Sequence, residues 1–206
     1  PFTQPHGASR AGMLTLSRFP IGSALRRSLP IEDSVMKLVD LDRCYSKVWA
    51  PVDGGQSLVL YNLHLSAYTS DGTIATEQLK LLCADMQAQY EAGNYVVAGG
   101  DFNKDLLGNS DAVFGVSGED YTWAQPLETD VLPEGFSLVS SLDAANPVPS
   151  CRNADGPYVP GQSYVLTVDG FIVSDNVKVN DCRVIDDGFT CSDHNPVVME
   201  VRLPAA

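Results

Sequence analysis

Two short segments of the chain place acidic, amide and imidazole side chains directly beside apolar runs. In the first, Gly100-Asp101-Phe102-Asn103 follows the apolar residues 95–98, and an acid and an amide stand two residues apart. Side chains at positions i and i+2 of an extended backbone point the same way, so Asp101 and Asn103 can face one cleft. A carboxylate and an amide there can hold an attacking water and a hard cation. The alternative is an Asp-x-Asn turn that only closes a strand.

The second segment is Ser192-Asp193-His194, which stands just before Pro196 and the apolar run 197–201. Adjacent side chains cannot share a face of a regular strand, but they can diverge at its entry. Asp193 could then reach a metal while the imidazole of His194 reaches a phosphoryl oxygen. An Asp-His turn before proline, without a catalytic role, is the alternative.

Two further polar positions lie inside apolar runs. Asn62 and His64 share one face of the run 57–65, and a buried, hydrogen-bonded His64 without a catalytic role is the alternative to a site residue. Asp169 interrupts the apolar run 168–173. An unpaired buried polar group costs roughly 2 to 7 kcal/mol, and a charge costs more. Asp169 therefore needs a cationic partner, and His194 is the candidate, because a carboxylate behind a histidine orients the ring.

The spacing of apolar residues predicts many short strands and one long helix. In 76–92 the apolar side chains fall three and four residues apart, which predicts an amphipathic helix that Gly93 ends. Residues 104–161 are rich in Gly, Pro, Ser, Asn and Asp, which predicts long loops over the strand ends. The predicted strands are Met13–Leu16, Val35–Val39, Tyr45–Trp49, Ser57–Leu65, Tyr95–Ala98, Tyr164–Val173, Val177–Ile185 and Pro196–Val201.

Composition and charge limit the kinds of substrate. The 206 residues are 44% hydrophobic, which suffices for one globular domain with one core. Lys and Arg number 13 against 26 Asp and Glu, and the net charge of −13 repels nucleic acid and anionic membranes. We therefore expect no basic DNA-binding face. Because a bound divalent cation can invert such a potential locally, the acidity points to a metal requirement for any phosphate substrate.

The cysteines and the hydropathy leave the location of the protein open. Five cysteines without a CxxC pair predict neither a zinc ribbon nor a full disulfide framework, and Cys83 fits the apolar stripe of the helix. Cys182 and Cys191 could pair in an oxidising compartment. No run of about 18 apolar residues occurs, so no transmembrane helix is predicted in this chain. An extracytoplasmic or membrane-anchored location is compatible with a chain that opens on Pro1.

Four motifs together resemble those of the endonuclease/exonuclease/phosphatase superfamily, in order and approximate spacing. They are Asn-Leu-His-Leu at 62–65, Gly-Gly-Asp-Phe-Asn at 99–103, Val-Asp-Gly-Phe-Ile-Val at 168–173 and Ser-Asp-His-Asn-Pro-Val at 192–197. The run 12–21 is similar to the strand and turn that precede the histidine motif, so the resemblance spans about residues 12–203. It implies an α/β (α+β) fold, a four-layer sandwich of two mixed β-sheets flanked by helices.

The resemblance also implies which residues act on the phosphate. His194 would contact the scissile phosphate or transfer a proton, with Asp169 behind it. Asn62 and His64 would contact phosphate. Arg152 could clamp a substrate phosphate, and a surface ion pair is the alternative.

A second implied set concerns the water and the metal. Asp101 and Asn103 would position the attacking water, and together with Asp193 they would bind Mg²⁺ (or Mn²⁺). Family members carry an asparagine and a metal-binding glutamate on strands before the position of Gly12, whereas the eleven residues before it here contain no glutamate. We therefore expect a single domain over 1–206 that lacks its N-terminal portion and first strands, and weak Mg²⁺ binding at best.

The activity implied is that of a divalent-metal-dependent phosphoester hydrolase, first of all a phosphodiesterase. Nuclease-like and phospholipase C or sphingomyelinase-like reactions are both compatible, with nucleic acid, a phospholipid head group or an inositol phosphate as substrate. Within 104–161 the basic residues are Lys104 and Arg152, which disfavours extended nucleic-acid contacts. A phosphomonoesterase of the inositol phosphatase type and a non-catalytic domain that retains the fold are the alternatives.

Overall fold

The computed structural model describes residues 2–6, 9–31, 42–67, 73–116, 125–141, 143 and 145–204. Its helices are α1 (Thr73–Glu91) and α2 (Ser110–Phe114), and a 3-10 turn covers Thr129–Val131. Its strands are β1 (Phe2–His6), β2 (Ser9–Met13), β3 (Ser23–Ser28), β4 (Cys44–Pro51), β5 (Ser57–His64), β6 (Tyr95–Asp101), β7 (Phe136–Val139), β8 (Cys151–Arg152), β9 (Val165–Leu166), β10 (Asp169–Ser174), β11 (Lys178–Val184) and β12 (Val197–Arg202). Across these residues we find no helix with the length and apolarity that a membrane span requires.

A six-stranded mixed sheet in the order β3-β4-β5-β6-β10-β7 forms the centre of the fold. Strands β5 and β6 are parallel and are joined by the crossover helix α1, whereas β10 runs antiparallel to β6. The carboxyl ends of β5 and β6 and the beginning of β10 consequently meet at one edge of the sheet. The register pairs Asp101 with both His64 and Asp169 at that edge.

Helix α1 covers one face of this sheet because its apolar residues recur every three or four positions. Leu79, Leu82 and Met86 are buried against the β5 residues Val59 and Tyr61. The helix ends where predicted, since the amide of Gly93 donates to the carbonyl of Tyr90 with a φ of 83°.

The other face of the sheet packs against a two-stranded sheet formed by β11 and β12. Tyr95, Val97 and Val173 of the large sheet meet Cys182 of β11 and Met199 of β12 in a second apolar core. Helix, large sheet and second sheet therefore lie in successive layers, which confirms the predicted α/β class. The second sheet differs from the prediction of two mixed sheets, because β11 and β12 are antiparallel. All five cysteines are free thiols, so Cys182 and Cys191 are not paired.

Several predicted boundaries differ from the structure. The predicted strand over 13–16 is displaced, because β2 ends at Met13 and residues 14–16 join no strand among the described residues. The predicted strand 35–39 lies outside the described residues. Strand β3 was not predicted, since all its side chains are exposed and an edge strand needs no apolar alternation. The loop region 104–161 contains α2, β7 and β8, which are too short to give a periodic signal.

Candidate active site

The ends of three neighbouring strands bring the predicted site residues together. His64 is the last residue of β5, Asp101 is the last residue of β6, and Asp169 is the first residue of β10. His194 reaches the same edge from the segment before β12, where it forms an isolated bridge with Cys151. Residues far apart in sequence thus meet because the sheet topology brings their strand ends together.

Asp169 and His194 form a close pair. The Oδ2 atom of Asp169 lies 2.7 Å from Nδ1 of His194, as the sequence predicted for a buried acid in need of a partner. Burial by itself lowers the pKa of His194, but the hydrogen bonds with Asp169 and Cys151 and the charge of Asp169 outweigh burial and raise the pKa to about 11. The ring is therefore an imidazolium at neutral pH, with its Nδ1 proton donated to Asp169.

Asp101 lies between the two histidines. Its Oδ2 is 3.2 Å from Nε2 of His64 and 3.9 Å from Nε2 of His194. Burial, followed by the charge of Asp169, raises the pKa of Asp101 to about 6. Burial, followed by the charges of Arg43 and His194, lowers the pKa of His64 to about 4. His64 is therefore neutral, and its 3.2 Å contact with the ionised Asp101 is not an ion pair.

Asn103 lies in the same region but not by the strand geometry that the sequence suggested. Strand β6 ends at Asp101, and Asn103 adopts a left-handed backbone with a φ of 48°. Its amide N–H donates to Oδ1 of Asp101 at 2.8 Å, which is the Asp-x-Asn turn that stood as the alternative. Its side-chain Nδ2 donates to the carbonyl of Leu65 at 2.7 Å. Asn103 therefore both forms the turn after β6 and lies beside Asp101.

Asn62 and Arg152, which were predicted to contact phosphate, form hydrogen bonds with other groups of the chain. Nδ2 of Asn62 donates to the carbonyl of Leu14 at 3.2 Å and to Oγ1 of Thr15 at 3.3 Å. One guanidinium nitrogen of Arg152 donates to the carbonyls of Asn153 at 2.8 Å and Gly156 at 3.0 Å. Asn62 thus ties the segment 14–15 to β5, and Arg152 holds its own loop.

The predicted metal ligands provide hard oxygen donors without forming a closed cage. Asp193 is half-buried, its carbonyl accepts the amide of Arg152 at 2.9 Å, and its carboxylate accepts from the hydroxyl of Ser192 at 3.4 Å. Within the described ranges, no group of three or more His, Cys, Asp or Glu side chains is arranged to hold a metal. Mg²⁺ commonly keeps several waters and uses one or two carboxylates together with substrate phosphate oxygens. Carboxylates such as Asp101 and Asp193 fit that mode of binding, and they do not fit a four-ligand structural site.

Three residues at the site are not among the site residues predicted from the sequence. Arg43 is buried just before β4, and its charge lowers the pKa of both His64 and Asp101. Ser150 is fully buried and its Oγ donates to Oδ2 of Asp169 at 2.8 Å. Cys151 places its Sγ 3.5 Å from Nε2 of His194. A short Pro-Ser-Cys stretch gives no periodicity that would identify these contacts.

Comparisons with solved structures agree on the fold. A 2',3'-cyclic phosphatase, ANGEL2, superposes with a TM-score of 0.58 at 18% identity over 90% of this chain and 68% of its own. An endonuclease/exonuclease/phosphatase from Beutenbergia cavernae gives a TM-score of 0.60 at 19% identity over 91% of this chain and 46% of its own. A mannosyl-6-phosphatase from Bacteroides thetaiotaomicron gives a TM-score of 0.55 at 17% identity over 89% of this chain and 67% of its own.

Neither a family model nor a curated protein matches the sequence. The three solved structures show that the fold of the chain is that of the endonuclease/exonuclease/phosphatase superfamily. The chain spans between about half and two thirds of the length of these three solved relatives.

Proposed function

We propose that this chain, which has the endonuclease/exonuclease/phosphatase fold, hydrolyses phosphoesters, and first of all phosphodiesters. The observation that carries the proposal is the line of Asp169, His194, Asp101 and His64 along one sheet edge. It places an ionised carboxylate, that of Asp101, 3.2 Å from a neutral imidazole and 3.9 Å from a cationic one. Two structural neighbours support the hydrolysis of phosphoesters in general, since ANGEL2 is a 2',3'-cyclic phosphatase and the Bacteroides protein a mannosyl-6-phosphatase.

The charges of these side chains suggest the catalytic role of each residue. His194 is protonated, so it cannot accept a proton from water, but it can stabilise an anionic phosphoryl oxygen or donate a proton to the leaving oxygen. Asp101 is ionised at neutral pH and is the group in the line that can accept the proton of an attacking water. The neutral His64 lies 3.2 Å from the Asp101 carboxylate and limits the positions that this carboxylate can take. Water then attacks phosphorus, and the ester oxygen leaves with a proton.

Mg²⁺ or Mn²⁺ belongs to the proposal as the cofactor. Asp101, Asn103 and Asp193 are the groups of this chain that would hold it, and when bound it would neutralise charge on the phosphoryl oxygens. Because no group of three ligands is preformed among the described residues, we expect this chain to bind Mg²⁺ with a Kd no tighter than roughly 0.1 mM.

Isothermal titration calorimetry measures that affinity without any assay of activity. Replacing Asp193 by asparagine should weaken it further, whereas Glu200→Gln on the exposed side of β12 should not change it. A micromolar Kd, or the same Kd in both variants, would refute this placement of the cation.

A substrate series distinguishes the kinds of phosphoester. We expect faster turnover of bis-p-nitrophenyl phosphate than of p-nitrophenyl phosphate, because the diester carries less negative charge at neutral pH and this chain has a net charge of −13. With a net charge of −13, we also expect no fall in KM from a dinucleotide to a 20-nucleotide strand. Preference for the monoester would favour the phosphomonoesterase, and a KM that falls with strand length would favour a nuclease. An absence of turnover on every substrate would favour a binding domain.

A further inference from the structure

We infer that Ser150 and Cys151 form a positioning element for the His194 ring, in which Ser150 acts on the Nδ1 end through Asp169 and Cys151 contacts the Nε2 end. This inference rests on the proposed function, because it assigns His194 the catalytic role. Neither residue lies in the line of acids and imidazoles, yet each contacts it directly. Ser150 hydrogen-bonds Asp169 at 2.8 Å, and Cys151 contacts Nε2 of His194 at 3.5 Å.

The hydroxyl group of Ser150 is held in a single orientation by its hydrogen bonds. Its Oγ accepts the amide protons of Val168 and Asp169, both at 3.0 Å. A serine hydroxyl has two lone pairs and one proton. With both lone pairs engaged, the proton points to Oδ2 of Asp169, the same oxygen that receives Nδ1–H of His194. The carboxylate is thereby fixed in the rotation that faces the ring.

The backbone of the segment is attached to both partners. The amide of Ser150 donates to the carbonyl of Leu166, three residues before Asp169, at 3.1 Å. The amide of Asn195 donates to the carbonyl of Ser150 at 2.8 Å, and Nδ2 of Asn195 donates to the carbonyl of Pro149 at 3.0 Å. A displacement of this segment would therefore move Asp169 and His194 together.

Cys151 holds the opposite end of the ring more weakly. Cys151 is 5% exposed, and burial, despite the opposing effect of His194, raises the pKa of its thiol, so the group is a protonated thiol rather than a nucleophilic thiolate. A thiol is a weak hydrogen-bonding group. It can keep Nε2 in place and give way to a phosphoryl oxygen when substrate enters.

The variant Ser150→Ala tests the positioning element, because its expected effect on kcat differs from that of a loss of stability alone. We expect kcat to fall by about 10- to 100-fold with KM nearly unchanged, as is usual when a group that orients a catalytic residue is removed. Ser150→Thr, which keeps a hydroxyl, should restore most of kcat, and Cys151→Ala should have a smaller effect than Ser150→Ala.

Ser174→Ala is the matched control. Ser174 is also 0% exposed, and its Oγ accepts the amide of Val96 at 2.9 Å at the far end of β10. This variant should lower the unfolding temperature without changing kcat.

A second readout needs no turnover, so its failure is distinguishable from a failure of the proposed function. The Nδ1 proton and nitrogen resonances of His194 are recorded by NMR at one fixed pH in the substrate-free protein. Ser150→Ala should shift them and speed exchange of the proton with water, and Ser174→Ala should not. Should Ser150→Ala fail to fold, Ser150→Cys, with its weaker donor, should give an intermediate shift. Unchanged resonances together with an unchanged kcat in a folded Ser150 variant would overturn the inference.

Discussion

Replacing His194 by alanine should reduce kcat for bis-p-nitrophenyl phosphate by about 10³-fold or more, since positioned proton transfer contributes about 10² to 10⁴ and oxyanion stabilisation about 10² to 10³. The loss is large because the imidazolium is the cationic side chain in the line with Asp169 and Asp101. The measurement is the steady-state rate of p-nitrophenolate release at saturating substrate.

His194→Asn provides the matched variant for this prediction. Its amide can still donate to Asp169 from near the position of Nδ1, but nothing replaces Nε2. It should therefore restore much of the stability lost in His194→Ala while remaining equally inactive. If either folded variant retained the activity of the unsubstituted protein, the assignment of His194 would be wrong.

Replacing Gly100 by alanine should have the largest effect on stability among simple substitutions near the site. Gly100 has a φ of 150°, and a Cβ there would lie 2.0 Å from the carbonyl oxygen of Leu63 on the neighbouring strand. The backbone conformation costs about 1–3 kcal/mol for a residue with a side chain, and displacing a packed strand costs a similar amount. We expect the free energy of unfolding to fall by about 4 kcal/mol, with the activity lost as well, because Asp101 is the next residue.

Gly55→Ala separates the two contributions. Gly55 has a φ of 89°, but a Cβ there has no neighbour within 4 Å. Only conformational strain remains, so we expect a loss of about 1–2 kcal/mol in urea denaturation. Equal denaturation midpoints for the two variants would show that the close approach of β5 and β6 at Gly100 is not as tight as described.

The pairing of Asp169 with His194 was predictable because it follows from an energetic requirement. An acid within a buried strand needs a partner, and few cationic candidates occur near a strand end. The helix over 76–92 and most central strands were predictable for a similar reason, since burial of one face imposes a period on the sequence. The structure has α1 at Thr73–Glu91 and the pair at 2.7 Å.

The sequence predictions failed where contacts between distant parts of the chain determine the local structure. Asp101 and Asn103 were predicted to point the same way on an extended backbone, whereas the chain turns at Asn103, with a φ of 48°, once β6 ends. Arg43, Ser150 and Cys151 gave no local signal, because Cys151 meets His194 across 43 residues and Arg43 acts on His64 through its charge. Contacts of this kind depend on which strand ends the topology brings together, and no period in the sequence encodes that.

The most direct test of the account is the initial rate at which the purified natural protein hydrolyses bis-p-nitrophenyl phosphate in Mg²⁺ and in EDTA. The proposed site predicts saturable turnover in Mg²⁺ that disappears in EDTA and returns when Mg²⁺ is restored. A folded protein that gives no turnover in either condition, or an equal rate in both, would contradict a metal-dependent phosphodiesterase built on Asp101, Asp169 and His194.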